Sequence, residues 1–272
     1  MKALGSISLA IALAASLAAP AHAGAIRDSG LFLTNTLARN DDGSTAAVSL
    51  GFAIDFYGVP RTTAFVNNNG NITLDNPLFT FTPFPLLTTN RQIIAPFFGD
   101  VDTRALNTTE VNYGTANIGG RNVFGVNWIN VGVYSQLAIF NSFQLIMTDR
   151  SDIAAGDFDF EFNYDDINWN TGQASGGDSQ GRGPNSARAG WSNGGTTSQE
   201  LAGSGIDGAF LNAGSNSLIQ GSLNSNVAGR YIFNVRGGAV QPPTGVPEPM
   251  SLALVGLALA GMGLASRKKR AA

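Results

Sequence analysis

Through much of the chain apolar and polar residues alternate with a period of two. In "DFDFEFNYDD", Phe158, Phe160, Phe162 and Tyr164 fall on one side of an extended segment, and Asp157, Asp159, Glu161 and Asn163 on the other. That is the pattern of a strand with an aromatic face in a core and an acidic face in water. Similar apolar, β-branched runs predict further strands at 49–57, 64–66, 71–74, 93–98, 111–113, 123–133, 143–148, 187–191 and 230–235, beside 158–164 itself. "VNNNGNITLD" sets Asn69-Gly70 between two such runs, a strong hairpin signal. No long stretch carries a 3.6-residue apolar period, so helices should be few and short. Two irregular regions, 170–186 and 203–226, are long enough to be functional loops or covers over a sheet edge. The expectation is an all-β fold: a single β-sandwich-like domain over 24–241, of mainly antiparallel short strands joined by long Gly/Ser/Asn-rich loops.

Both ends depart from this pattern. Met1-Lys2, an apolar run and the A-x-A site Ala21-His22-Ala23 have the order of a secretory signal peptide, with cleavage expected between Ala23 and Gly24. At the other end, 242–249 ("PPTGVPEP") reads as an extended Pro-rich stalk and 250–266 as an uncharged apolar helix. Seventeen residues at about 1.5 Å each span about 25 Å, a little less than a hydrocarbon core. That suits a temporary membrane tether. Arg267, Lys268, Lys269 and Arg270, within the basic tail 267–272, place its far end in the cytoplasm. An N-terminal signal helix and a C-terminal transmembrane helix therefore complete the expected fold.

Composition changes meaning once the ends are set aside. The only histidine, His22, and all three lysines, Lys2, Lys268 and Lys269, lie in the terminal segments. From 24 to 246 there are eleven arginines against eighteen Asp and Glu, seven negative charges in excess, and the chain has no cysteine. Such a domain offers no basic patch to nucleic acid. Ser-His-Asp catalysis, thiol catalysis, and His- or Cys-based metal sites are excluded with their residues. Its stability has to come from its core.

Two stretches carry family resemblances. Val246-Pro247-Glu248-Pro249, an apolar segment and a terminal Arg/Lys cluster, in that order, resemble the PEP-CTERM sorting signal of Gram-negative bacteria. The resemblance implies an exosortase-type enzyme that cuts near Pro247, Glu248 and Pro249, and a protein tethered to the inner membrane until then. Further in, "VNNNGNITLD", "APFFGDVDTR", "VFGVNWINVGVY", "FEFNYDDINWNTGQASGG" and "ARAGWSNG", spread over about 54–235, are similar to the nidogen-like (NIDO) extracellular domain. This second resemblance implies a β-rich module of adhesive or matrix proteins and no chemistry. Together they imply an exported, non-catalytic surface or matrix protein whose partners are extracellular polysaccharide or matrix proteins.

What chemistry remains is that of carboxylates. Asp100-Val101-Asp102 and Asp165-Asp166 each follow an apolar strand. As paired acids they would suit a polysaccharide hydrolase, although acids at strand ends commonly cap turns. As oxygen donors, Asp100 and Asp102 with the backbone near Thr103 would suit calcium, since a D-x-D spacing along a strand puts both side chains on one face. No complete EF-hand loop is present. Ion pairs with Arg104 or Arg91 compete with that use, because arginine is the domain's only cation. A calcium-dependent glycan-binding module is thus an alternative to plain adhesion. Phe79, Phe81, Phe84, Phe97 and Phe98, among Pro83, Pro85 and Pro96, form a further cluster whose burial the pattern leaves open.

Overall fold

The computed structural model describes residues 24–243. The signal segment, Pro247-Glu248-Pro249, the apolar stretch 250–266 and the cations at 267–270 lie outside the described residues. Among those described, no helix is long and apolar enough to cross a membrane. Fourteen strands follow in chain order: β1 (Asn35–Leu37), β2 (Val48–Phe56), β3 (Val59–Asn67), β4 (Asn71–Thr73), β5 (Gln92–Phe98), β6 (Val101–Asp102) and β7 (Val111–Ile118). Then come β8 (Arg121–Val133), β9 (Leu137–Asp149), β10 (Phe158–Asp166), β11 (Arg188–Asn193), β12 (Ser198–Glu200), β13 (Arg230–Arg236) and β14 (Ala239–Val240). Among the described residues, only two single-turn 3₁₀ segments, Leu86–Thr88 and Gln173–Ser175, interrupt them.

The strands form two antiparallel sheets, packed as a sandwich. One runs β1-β7-β8-β9-β10-β13-β14, with β6 also on β8; the other runs β12-β11-β5-β4-β3-β2. Between them lies a continuous aromatic core. Phe158, Phe160 and Phe162 are fully buried, and Phe160 stacks on Phe233 at 4.7 Å between centroids. Phe97 of β5 meets Phe143 of β9 at 5.2 Å, and the Tyr164 hydroxyl donates to the Pro96 carbonyl across the layers at 2.6 Å. The aromatic-proline cluster divides. Phe97 and Phe98 are buried and Phe84 packs edge-on against Phe98, whereas Phe79 is 59% exposed.

One expectation needs correcting. The acidic face of β10 is not open to water: Glu161 and Asp157 are buried and Asp159 is half-buried. Arginines from distant segments cover it. Arg27 donates to both oxygens of Glu161, and Arg230 lies 3.7 Å from the same carboxylate while bonding Asn163 at 3.0 Å. Arg150 and Arg236 each reach Asp159 at 2.6 Å. Charge neutralisation by planar guanidinium groups makes burial of these carboxylates tolerable where a lone acid would stay wet.

Candidate metal centre

The site grows from a crossover between the layers. β5 belongs to one sheet and β6 to the other, and Gly99-Asp100 links them. Beside this link sits the turn of the β3–β4 hairpin, where Asn67 faces Asn71 and Asn68, Asn69 and Gly70 form the loop. Gly70 has φ +70°, and a Cβ there would come 1.8 Å from the Phe97 carbonyl. Only glycine fits both the left-handed turn and that approach. All four asparagines are buried; Asn67 and Asn71 bond within the hairpin, and Asn68 and Asn69 reach out of it. Asn69 accepts from Val101 N–H at 2.9 Å and donates to Asp42 at 2.9 Å. Asn68 donates to the carbonyls of Asp41 and Val101, and the Trp128 indole donates to the Asn68 carbonyl at 3.0 Å. The segment 39–45 is pinned alongside: Thr103 N–H donates to the Asn40 carbonyl at 3.0 Å, and Asn68 N–H to that of Gly43 at 2.8 Å.

Here carboxylate oxygens of Asp41, Asp42 and Asp100 lie within 4.8 Å of one another. Asp100 is 2% exposed. Gly172 backs it so closely that a Cβ at that position would stand 2.2 Å from Asp100 Oδ2. The loop 170–186, which the sequence leaves open as function or cover, therefore walls the site. Its Asn170, Thr171, Ser175 and Ser186 are buried. Arg104 is the cation at hand, and it is shared. Its guanidinium and backbone N–H bond Asp102, and it also reaches Asp41 at 3.0 Å. Burial, then the nearby Asp41, Asp42 and Asp102 carboxylates, pushes the Asp100 carboxyl up to about 7 against the pull of Arg104. Asp41 is raised to about 6, by burial first and then by Asp102 and Asp42.

The structure thus joins Asp100 to Asp41 and Asp42 and commits Asp102 to Arg104, while Arg91 pairs with Asp75 at 2.8 Å. Asp165 and Asp166 are exposed and take other partners, Ile26 N–H and Asn212. Asp41 and Asp42 escaped the sequence reading. Their signal was "NDDGS", two acids before a glycine in a loop, which periodicity ignores.

A groove of about 490 Å³ lies elsewhere, beside Leu201, Ser217 and Tyr231. Its acid, Glu200, is held by Arg188 at 3.0 Å and by Leu86 N–H at 2.7 Å, so it presents no pair of free carboxylates.

The family model for the nidogen-like domain matches residues 62–237. The chain belongs to the nidogen-like family. Among curated proteins, the chain is similar to alpha-tectorin of Mus musculus (32% identical over 231 residues), Homo sapiens (34% over 231) and Gallus gallus (33% over 227). These matches cover 74–75% of this chain and 10% of each relative, so the chain spans about a tenth of the proteins it matches. No solved structure matches it significantly. Nidogen-like domains are non-enzymatic modules of extracellular-matrix type, and the hydrolase reading of Asp100, Asp102, Asp165 and Asp166 falls away.

Proposed function

We propose that this is an exported bacterial cell-surface or matrix protein, in which a nidogen-like domain serves adhesion or association with extracellular polysaccharide or matrix proteins. The observation that carries this reading is the pairing of a matrix-type domain with export-type ends. Residues 1–23 direct export, and 250–266 with Arg267 to Arg270 hold the chain at the inner membrane. An exosortase-type enzyme then cuts near Pro247-Glu248-Pro249 to release or re-anchor it. The domain's own chemistry supports a binding rather than a reacting role, since the described residues contain no Lys, His or Cys side chain.

Mass spectrometry of the mature protein from the producing cell tests the processing: expected termini are Gly24 and a residue near Glu248. An intact chain bearing either apolar end would overturn the sorting step. Fractionation tests the association: the mature domain should sediment with surface or matrix polymer, and recovery wholly as free protein would count against it. Calcium-dependent glycan binding is the second reading, favoured by the Asp41, Asp42 and Asp100 cluster. It predicts retention on matrix polysaccharide that EDTA abolishes.

A further inference from the structure

Five buried polar side-chain atoms lack a hydrogen-bond partner among the described residues. Two are donors, Arg188 Nε and Trp191 Nε1. The other three are oxygens of neighbouring residues, Asp41 Oδ1, Asp100 Oδ2 and Asn68 Oδ1: Asp41 and Asp100 bring carboxylate oxygens within 4.8 Å of each other, and the Asn68 amide donates to the Asp41 carbonyl. Asp100 is 2% exposed and Asn68 fully buried, with the Asn68 amide nitrogen spent on the Asp41 and Val101 carbonyls. Unsatisfied buried oxygens are rare because each forfeits its hydration. A set of them around three mutually repelling carboxylates calls for a positive partner that hydrogen bonding has not supplied. Arg104 does not answer for all of them, since its contacts go to Asp102 and to the other oxygen of Asp41.

We infer that Asp41, Asp42 and Asp100 bind one hard divalent cation of the calcium class, with the buried carboxamide oxygen of Asn68 beside them. The donors are all oxygen, and among the described residues there is no imidazole or thiolate to favour zinc or copper. Three carboxylates from two separate loop segments make an irregular cage. That suits the flexible coordination of calcium better than the strict octahedron of magnesium. The consequence is structural: the cation ties residues 39–45 and the sheet crossover at Gly99-Asp100 against the β3–β4 turn. This inference goes beyond the matrix role and does not depend on it; a cation can bind here whether or not the domain associates with polymer.

The test is calorimetric titration of the full chain, stripped with EDTA, with calcium chloride and separately with magnesium chloride. The expected result is one calcium per chain, a raised melting temperature, and magnesium affinity at least about tenfold weaker. Asp100→Asn should lower calcium affinity at least about tenfold. Asp42→Asn, at the half-buried rim, should weaken it as well and provides the reading if the Asp100 variant does not fold. Asp166→Asn, an exposed acid outside the cluster, should leave it unchanged. Absence of heat together with an unchanged melting temperature at 10 mM calcium (about tenfold above the weakest extracellular-module dissociation constants) would overturn the inference. Equal weakening by Asp166→Asn would overturn it too, as general charge screening.

Discussion

Two acid-rich regions of this domain meet burial in opposite ways. On β10, Glu161 and Asp159 are covered, and each has two arginines against it: Arg27 and Arg230 for Glu161, Arg150 and Arg236 for Asp159. At the crossover, the one guanidinium at hand, Arg104, is divided between Asp102 and Asp41, and the Asp100 Oδ2 oxygen has no partner. The difference is not in the number of acids, since each region gathers at least three. It lies in what the fold brings from elsewhere. The chain has no lysine in the described domain, so every positive charge is an arginine placed by tertiary structure. Where arginines arrive, acids act as structural fasteners. Where too few arrive, the site is left able to take a cation or a proton.

The largest effect is expected from stripping a paired acid. Removing Arg27 and Arg230 together leaves Glu161 buried without a counter-charge and should cost about 3–5 kcal/mol in urea denaturation. Undiminished stability would break the comparison at its first term. Next comes the same chemical change at both places. Glu161→Gln should destabilise by about 2 kcal/mol, because it weakens the two charge-assisted bonds from Arg27 and removes the ion pair with Arg230. Asp100→Asn, in EDTA at pH 8, should instead stabilise by about 1 kcal/mol, because it removes a charge held among like charges. Equal signs for the pair would refute the contrast.

Smaller, and more specific, is the pH response of the cation-free protein. Asp100 and Asp41 are raised to about 7 and about 6 from 3.8, so the folded state holds their protons more tightly than the unfolded chain. Their contribution is complete below pH 3.8 and is lost as pH rises through 6 and 7. The groups facing Asp100 are Asp41, Asp42, Asp102 and Arg104, and Arg104 stays charged throughout. In EDTA the melting temperature should fall from pH 5 to pH 8, by about 2–4 °C for each 1 kcal/mol lost. Saturating calcium should flatten or reverse that slope, and Asp100→Asn should reduce it. A cation-free slope of the opposite sign would contradict the proton affinities assigned to the site. The smallest effect belongs to Asp165→Asn and Asp166→Asn, exposed acids whose loss should change stability by less than about 0.5 kcal/mol.

Much of the fold was legible because period two is a local property. Phe158 to Tyr164 alternate and are buried on one side, and the Asn69-Gly70 signal is a hairpin turn. The two- and three-residue strands β1, β6, β12 and β14 were not legible. Pairings that short are decided by the sheet edge that receives them. The same reasoning explains the error on β10, where alternation reports which face is polar but not what lies over it. Arg27 and Arg230 come from far along the chain in both directions. At the candidate site Asp100 stood out, in "APFFGDVDT", as an acid after a buried strand. Its companions Asp41 and Asp42 sit in a loop whose position is fixed by side-chain bonds from Asn68 and Asn69, which no periodicity encodes.

The β3–β4 turn has a mechanical consequence. Its backbone belongs to one layer, while Asn68 grips Val101 and takes the Trp128 indole from the other. Sliding one layer over the other must therefore break buried bonds that cross the direction of travel, besides unpacking apolar side chains. The sandwich is riveted at this end, and under shear it should open from the opposite one.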